Sequence, residues 1–159
     1  MITVARKLYM CKKSVKWYNI FMKYYTSAKE NPMQKITTDQ APAAIGPYSQ
    51  AIRVGDLLYT SGQIPIIPAT GAVLDGDISA QARLVCENIG AVLAAAACDF
   101  THVVKTTCFL TDMADFAAFN EVYQQYFTGK PARSCVAVRQ LPRDVLCEIE
   151  AIAVVQSSD

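Results

Sequence analysis

The chain is 159 residues long, 52% apolar and 18% charged, with a formal net charge of +1. Those values describe one compact domain with a real core and exclude a disordered chain. No uninterrupted apolar run approaches the roughly 20 residues of a membrane span.

The small net charge conceals an asymmetry along the chain. Residues 1–33 hold seven Lys or Arg against Glu30 alone, whereas residues 34–159 hold eight basic against thirteen acidic residues, a net −5. A body of that sign offers no broad electrostatic footprint for nucleic acid, while a small basic site remains compatible with it. Within the first 33 residues, Leu8, Cys11, Val15, Tyr18, Met22 and Tyr25 recur at helical spacing, and Lys12, Lys16 and Lys23 gather on another side. A basic, acid-poor, amphipathic leader fits a mitochondrial transit peptide, although this one holds a single Arg, few Ser and many aromatic residues. A membrane-surface helix and a start at Met33 are the alternatives. The expected organisation is an extension over 1–33 and a domain over 34–159, located in the cytoplasm or the mitochondrial matrix.

In the domain, Ala51–Val54 and Leu57–Ser61 read as strands turned by Gly55-Asp56. Residues 64–76 form a Pro- and Gly-punctuated loop. Asp77 or Ser79 then caps a helix with the stripe Ile78, Ala82, Val85, Ile89, Val92 and Ala96. Val103–Leu110 is a strand rich in β-branched residues. A second helix runs from about Met113 to Phe127, with Asp112 as cap and Gly129 as stop. Ala132–Arg139 and Leu146–Val155 read as strands joined by the turn-like Leu141-Pro-Arg-Asp144, hence as a closing hairpin. The order ββ-α-β-α-ββ predicts an α+β fold with two helices on one face of a single sheet. Its uncovered face would take a second copy of the subunit, which puts a site between subunits.

Period-two alternation in the closing pair groups Val136 and Val138 with Ile149, Ala151 and Ala153 on the core face. It sends Arg133, Cys135, Glu148 and Glu150 to the other face. A guanidinium beside a carboxylate could hold an acidic substrate and direct water at it; the same row also fits an exposed, salt-bridged sheet face. Next to Arg133 the carboxylate pKa should fall.

The remaining chemistry is narrowed by what the chain lacks. His102 is its one histidine, placed at a helix-to-strand junction where a boundary role is expected. The six cysteines show no Cys-x-x-Cys pairing, five lie in apolar or strand-like runs, and no secretory signal is evident, which fits reduced thiols. No dinucleotide or phosphate-loop motif and no metal-ligand constellation occurs, so the expected enzyme uses neither metal nor cofactor. Gly46-Pro47-Tyr48-Ser49 is a pinned loop that could present Tyr48 to a ligand or bury it. Ser61-Gly62-Gln63 ends a strand with a hydroxyl and a glycine that permits close backbone approach. Asn120 sits in the apolar stripe of Phe116, Tyr123 and Phe127, where its amide must brace a neighbour or reach a pocket.

These residues fall in motifs spread over about residues 36–155: Ala41-Pro-Ala-Ala-Ile-Gly-Pro-Tyr-Ser-Gln50, Tyr59-Thr-Ser-Gly-Gln63, Val104-Lys-Thr-Thr107, Asp115-Phe116 to Asn120, Pro131-Ala-Arg-Ser-Cys135, Leu141-Pro142 and Glu148-Ile-Glu-Ala-Ile-Ala153. Together they resemble the RidA/YjgF family of enamine and imine deaminases. The resemblance implies a chorismate-mutase-like fold, a homotrimer with sites between subunits, and cofactor-free hydrolysis of 2-iminopropanoate- and 2-iminobutanoate-type substrates to keto acid and ammonia. It assigns carboxylate binding to Arg133 and water handling to Glu148. Tyr48, Ser61, Gly62, Asn120 and Cys135 become substrate-binding positions, Cys135 as a lining thiol. The Thr128–Pro131 connection is shorter than in many relatives, and Cys147 is unusual. An RNA-directed translation inhibitor or ribonuclease is one alternative; the −5 body and the single His speak against it. A non-catalytic trimeric module for small carboxylates or chaperone clients is the other.

Overall fold

The computed structural model of the protein describes residues 33–155, so the leader expected over 1–33 lies, but for Met33, outside the described residues. The strands are β1 (Gln34–Ile36), β2 (Ala51–Val54), β3 (Leu57–Thr60), β4 (Val103–Leu110), β5 (Ala132–Ala137) and β6 (Cys147–Val154). The helices are α1 (Ile78–Ala95) and α2 (Phe116–Tyr126). One mixed sheet runs β1-β2-β3-β6-β4-β5. Every neighbouring pair is antiparallel except β4 and β5, which are parallel and joined through α2.

Both helices form where the periodicity places them. Asp77 caps α1, its Oδ1 accepting from the Ala80 amide at 2.8 Å, and the stripe from Ile78 to Val92 is buried. Asp112 caps Ala114 at 2.8 Å but opens a 3-10 turn over Met113–Asp115, with α2 starting at Phe116. The core lies between the helices and Leu58, Cys108, Leu110, Cys147, Ile149 and Ala153 of the sheet. The opposite sheet face carries Leu57, Tyr59, Val136 and Val154, all exposed in the single chain.

The closing hairpin does not form. β4 lies between β5 and β6 and pairs with both. Leu141-Pro-Arg-Asp144 does reverse the chain, as a 3-10 turn over Pro142–Asp144, but it belongs to a packed connection. Leu141 and Val145 bury against Ile64 and Ile66 in a second small cluster, and the Val138 amide still donates to Leu110 O at 2.8 Å. A turn signal reports reversal and leaves open which strand becomes the neighbour. The edge strand β1 was not anticipated, being too short to show a period; Ile36 alone is buried.

Asn88 fixes the loop over 64–76 to α1. Its Nδ2 donates to Ile64 O at 3.2 Å and Ile66 O at 3.0 Å in the buried interior. Asn88→Ala strands both carbonyls and is expected to lower stability by about 1–3 kcal/mol, read from urea denaturation.

Candidate functional site

Strand register decides which face each candidate occupies. Thr106 stands between Arg133 on β5 and Ala151 on β6, so these three point towards the helices. Phe109 stands between Val136 and Glu148, which therefore share the open face, as do Thr107, Ser134 and Glu150. The expected common face for Arg133 and Glu148 is thus corrected: Arg133 and Cys135 lie on the helix side, Glu148 and Glu150 on the other. Apolarity misassigned β5, because its helix-side neighbours are aromatic rings that accept a cation, while Val136 remains 46% exposed on the open face.

Arg133 is held by α2. Its Nη1 donates to Asn120 Oδ1 at 2.7 Å, and its Cζ lies 4.7 Å from the Tyr123 ring centroid and 5.6 Å from that of Phe116. Tyr123 is fixed in turn by a 2.7 Å hydrogen bond between its hydroxyl and Thr106 Oγ1, and burial pushes its pKa up to about 12. Asn120 is therefore the brace of the guanidinium. Among the described residues no carboxylate lies within ion-pair distance of Arg133. The guanidinium opens on a cleft of about 520 Å³, lined also by Asn120, Tyr123, Gln124, Lys130 and Pro131.

Glu148 lies against Gly62. A Cβ added at Gly62 would collide with the Glu148 carboxylate, so glycine here is what lets that carboxylate sit where it does. Reciprocal backbone bonds between Gln63 and Ile149, at 2.8 and 3.1 Å, hold the two segments together. Burial raises the Glu148 pKa, and the neighbouring Glu150 charge raises it further. This reverses the expected fall, since the Arg133 guanidinium is on the far side of the sheet.

Ser61 ties the pinned loop to the end of β3, its Oγ donating to Ser49 O at 2.7 Å. Tyr48 is 48% exposed, and its hydroxyl accepts from the Ile45 amide at 3.3 Å, so the loop presents the ring outward. Tyr48 and Gly62 line a small cavity with Gln50, Gln63 and Ile64. Gln50 is an organiser that sequence reasoning missed. Its buried amide accepts from Thr38 N at 2.7 Å and donates to Thr38 O, Ala41 O and Pro42 O at 3.0, 3.2 and 2.8 Å. The available signal was a polar residue directly before an apolar strand.

Cys135 is half-buried beside Cys108 in register, and burial raises its thiol pKa while Arg133 pulls it down. A thiol held protonated is a lining group rather than a nucleophile. His102 lies 2.8 Å from Asp99 Oδ1 and completes a capping box there, as a boundary residue would. Hydrogen bonds from Thr101 and then His102 lower Asp99 to about 2. Among the described residues, no group of His, Cys, Asp or Glu has a metal-holding arrangement. Among them, too, no helix is long and apolar enough to cross a membrane.

The candidates thus form two groups. Arg133, Asn120 and Cys135 gather at the β5 edge under α2; Glu148, Gly62, Ser61 and Tyr48 gather where β3 and β6 meet the pinned loop. A family profile described as Endoribonuclease L-PSP matches residues 38–155. Protein DfrA of Myxococcus xanthus is 58% identical over 122 residues, covering 75% of this chain and 93% of that protein. The 2-iminobutanoate/2-iminopropanoate deaminase of Salmonella typhimurium is 53% identical over 123 residues, covering 75% and 95%. The crystal structure of Escherichia coli TdcF with bound serine superposes with a TM-score of 0.74 at 48% identity, covering 77% of this chain and 99% of that one.

Gly62→Ala tests the second group. The group it strikes is the free end of a side chain, so the fold should survive with an unchanged thermal midpoint. Displaced towards solvent, Glu148 should titrate at a lower pH than in the parent, followed by NMR of its carboxyl carbon.

Proposed function

Because the chain belongs to the endoribonuclease L-PSP family, the RidA/YjgF family of the sequence resemblance, we propose that it hydrolyses reactive 2-imino acids and their enamine tautomers. The substrates in this reading are of the 2-iminopropanoate and 2-iminobutanoate type, and the products are the 2-keto acid and ammonia. The observation that carries it is Arg133: a permanently charged guanidinium, braced by Asn120, seated on Tyr123 and free of any carboxylate among the described residues. A planar fork of donors left open to a cleft suits a carboxylate ligand. The deaminase name of the Salmonella relative and the serine bound to the E. coli relative support a small amino-acid-like substrate.

In the reaction, the substrate carboxylate pairs with Arg133 while Glu148 orients a water molecule and takes its proton. The water oxygen bonds to the imine carbon and the nitrogen is protonated, giving a carbinolamine. The C–N bond then breaks, the hydroxyl proton leaves, and ammonia departs as the ketone forms. The step draws on neither metal nor cofactor. Positioning supplies the acceleration, since the imine already reacts slowly with water.

One subunit alone does not bring the two groups onto one face, so the reading includes a homotrimer with each site shared. Arg133, Asn120 and Cys135 would come from one copy; Glu148, Gly62, Ser61 and Tyr48 would come from its neighbour. The apolar open face, with Leu57, Tyr59, Val136 and Val154 exposed around Glu148 and Glu150, supports such an assembly. Endoribonuclease activity, the second reading, takes its support from the family description. It would need an acid and a base, and the one histidine is engaged with Asp99.

Keto-acid formation from freshly generated 2-iminopropanoate is the test, with sedimentation checking the oligomer. Arg133→Ala and Glu148→Gln are each expected to lower kcat/KM by about 100-fold or more with assembly intact. Equal rates in all three proteins would reject the enzyme, and RNA cleavage by the same preparations would favour the ribonuclease. Glu150→Gln removes a charge that raises the Glu148 pKa, so the acid limb of the kcat/KM profile should move to lower pH.

A further inference from the structure

Lys130 stands at the rim of the cleft that holds Arg133, and the short connection before β5 puts it there. Phe127 ends α2, the Lys130 amide donates to Phe127 O at 3.1 Å, and Lys130 itself adopts φ of 51°. A left-handed lysine is uncommon, and the turn that forces it aims the chain directly into Pro131 and Arg133. Lys130 is exposed and, among the described residues, has no acidic partner within ion-pair distance. The cleft walls between the two cations carry the amides of Asn120 and Gln124 and the rings of Tyr123 and Phe127, with no carboxylate.

We propose that Lys130 is a specificity residue that favours 2-imino acids bearing a second acid group on the side chain, that is, imino dicarboxylates. This rests on the imino-acid reading of the site and narrows its substrate class. Arg133 takes the carboxylate next to the imine carbon, the distal carboxylate faces the Lys130 ammonium, and the amides of Gln124 and Asn120 supply neutral donors between them. The chemical step is unchanged: water adds to the imine carbon and ammonia leaves, giving a 2-keto dicarboxylate. Because the ammonium is exposed, its contribution is modest and weakens with salt.

The test compares 2-iminoglutarate with 2-iminopropanoate, each generated in place by an amino-acid oxidase, in wild type and Lys130→Gln. Wild type is expected to prefer the dicarboxylate, and Lys130→Gln to lower its kcat/KM by roughly two- to five-fold at low salt while leaving 2-iminopropanoate unchanged. Equal change in both substrates, or change in neither, overturns the proposal. A second arm separates it from the parent reading. If no imine is turned over, the imino-acid reading falls. Calorimetry with 2-oxoglutarate and pyruvate then decides the Lys130 claim alone: selective weakening of 2-oxoglutarate by Lys130→Gln upholds a dicarboxylate site, and equal weakening or no binding ends it.

Discussion

The insertion of β4 between β5 and β6 governs the rest of the structure. Side chains in register across a sheet share a face, so pairing Thr106 with both Arg133 and Ala151 commits the guanidinium to the helix side. The same register commits Glu148 to the opposite side through Phe109. A cation and a carboxylate that close in a strand pair would have neutralised each other are instead kept apart by the sheet. Each is left with unused capacity for a ligand.

The two environments differ accordingly. Arg133 lies on an aromatic wall, where the Tyr123 ring and the Asn120 carbonyl compensate part of its lost hydration without supplying a negative charge. Its remaining donors stay open to a carboxylate. Glu148 is half-buried against Gly62 with Glu150 nearby, and both influences favour its protonated form. A carboxylate of raised pKa is a stronger base once ionised, which suits taking a proton from water better than the depressed group that Arg133 would have produced beside it. The thiol next to Arg133 follows the same logic from the other direction, since burial outweighs the cation and keeps Cys135 protonated.

The packing around these groups is as specific as the groups themselves. Gln50 gathers the segment from Thr38 to Pro42 with its amide, Ser61 fastens Ser49, and Asn88 fastens the loop after β3. These buried polar side chains tie irregular backbone to regular elements, so the pinned loop and Gly62 are positioned by hydrogen bonds rather than by apolar burial alone. The fold and the family are common to relatives near half identity, and the left-handed turn at Lys130 places that residue at the rim of the cleft in this chain.

The sequence alone determined the two helices and every strand but β1, because their signals are local. The stripe from Ile78 to Val92 and the caps Asp77 and Asp112 act within a few residues of one another. It also singled out the candidate residues Arg133 and Glu148, because the motifs around them are contiguous. Sheet order, and with it the face of every β5 residue, was decided only by tertiary structure. Strand pairing is a contact between distant segments, and alternation fixes which residues go together on one strand without fixing which side they take. Arg133 shows the reason most directly: its side was chosen by the rings of α2, and nothing in the strand that carries it encodes where those rings will lie.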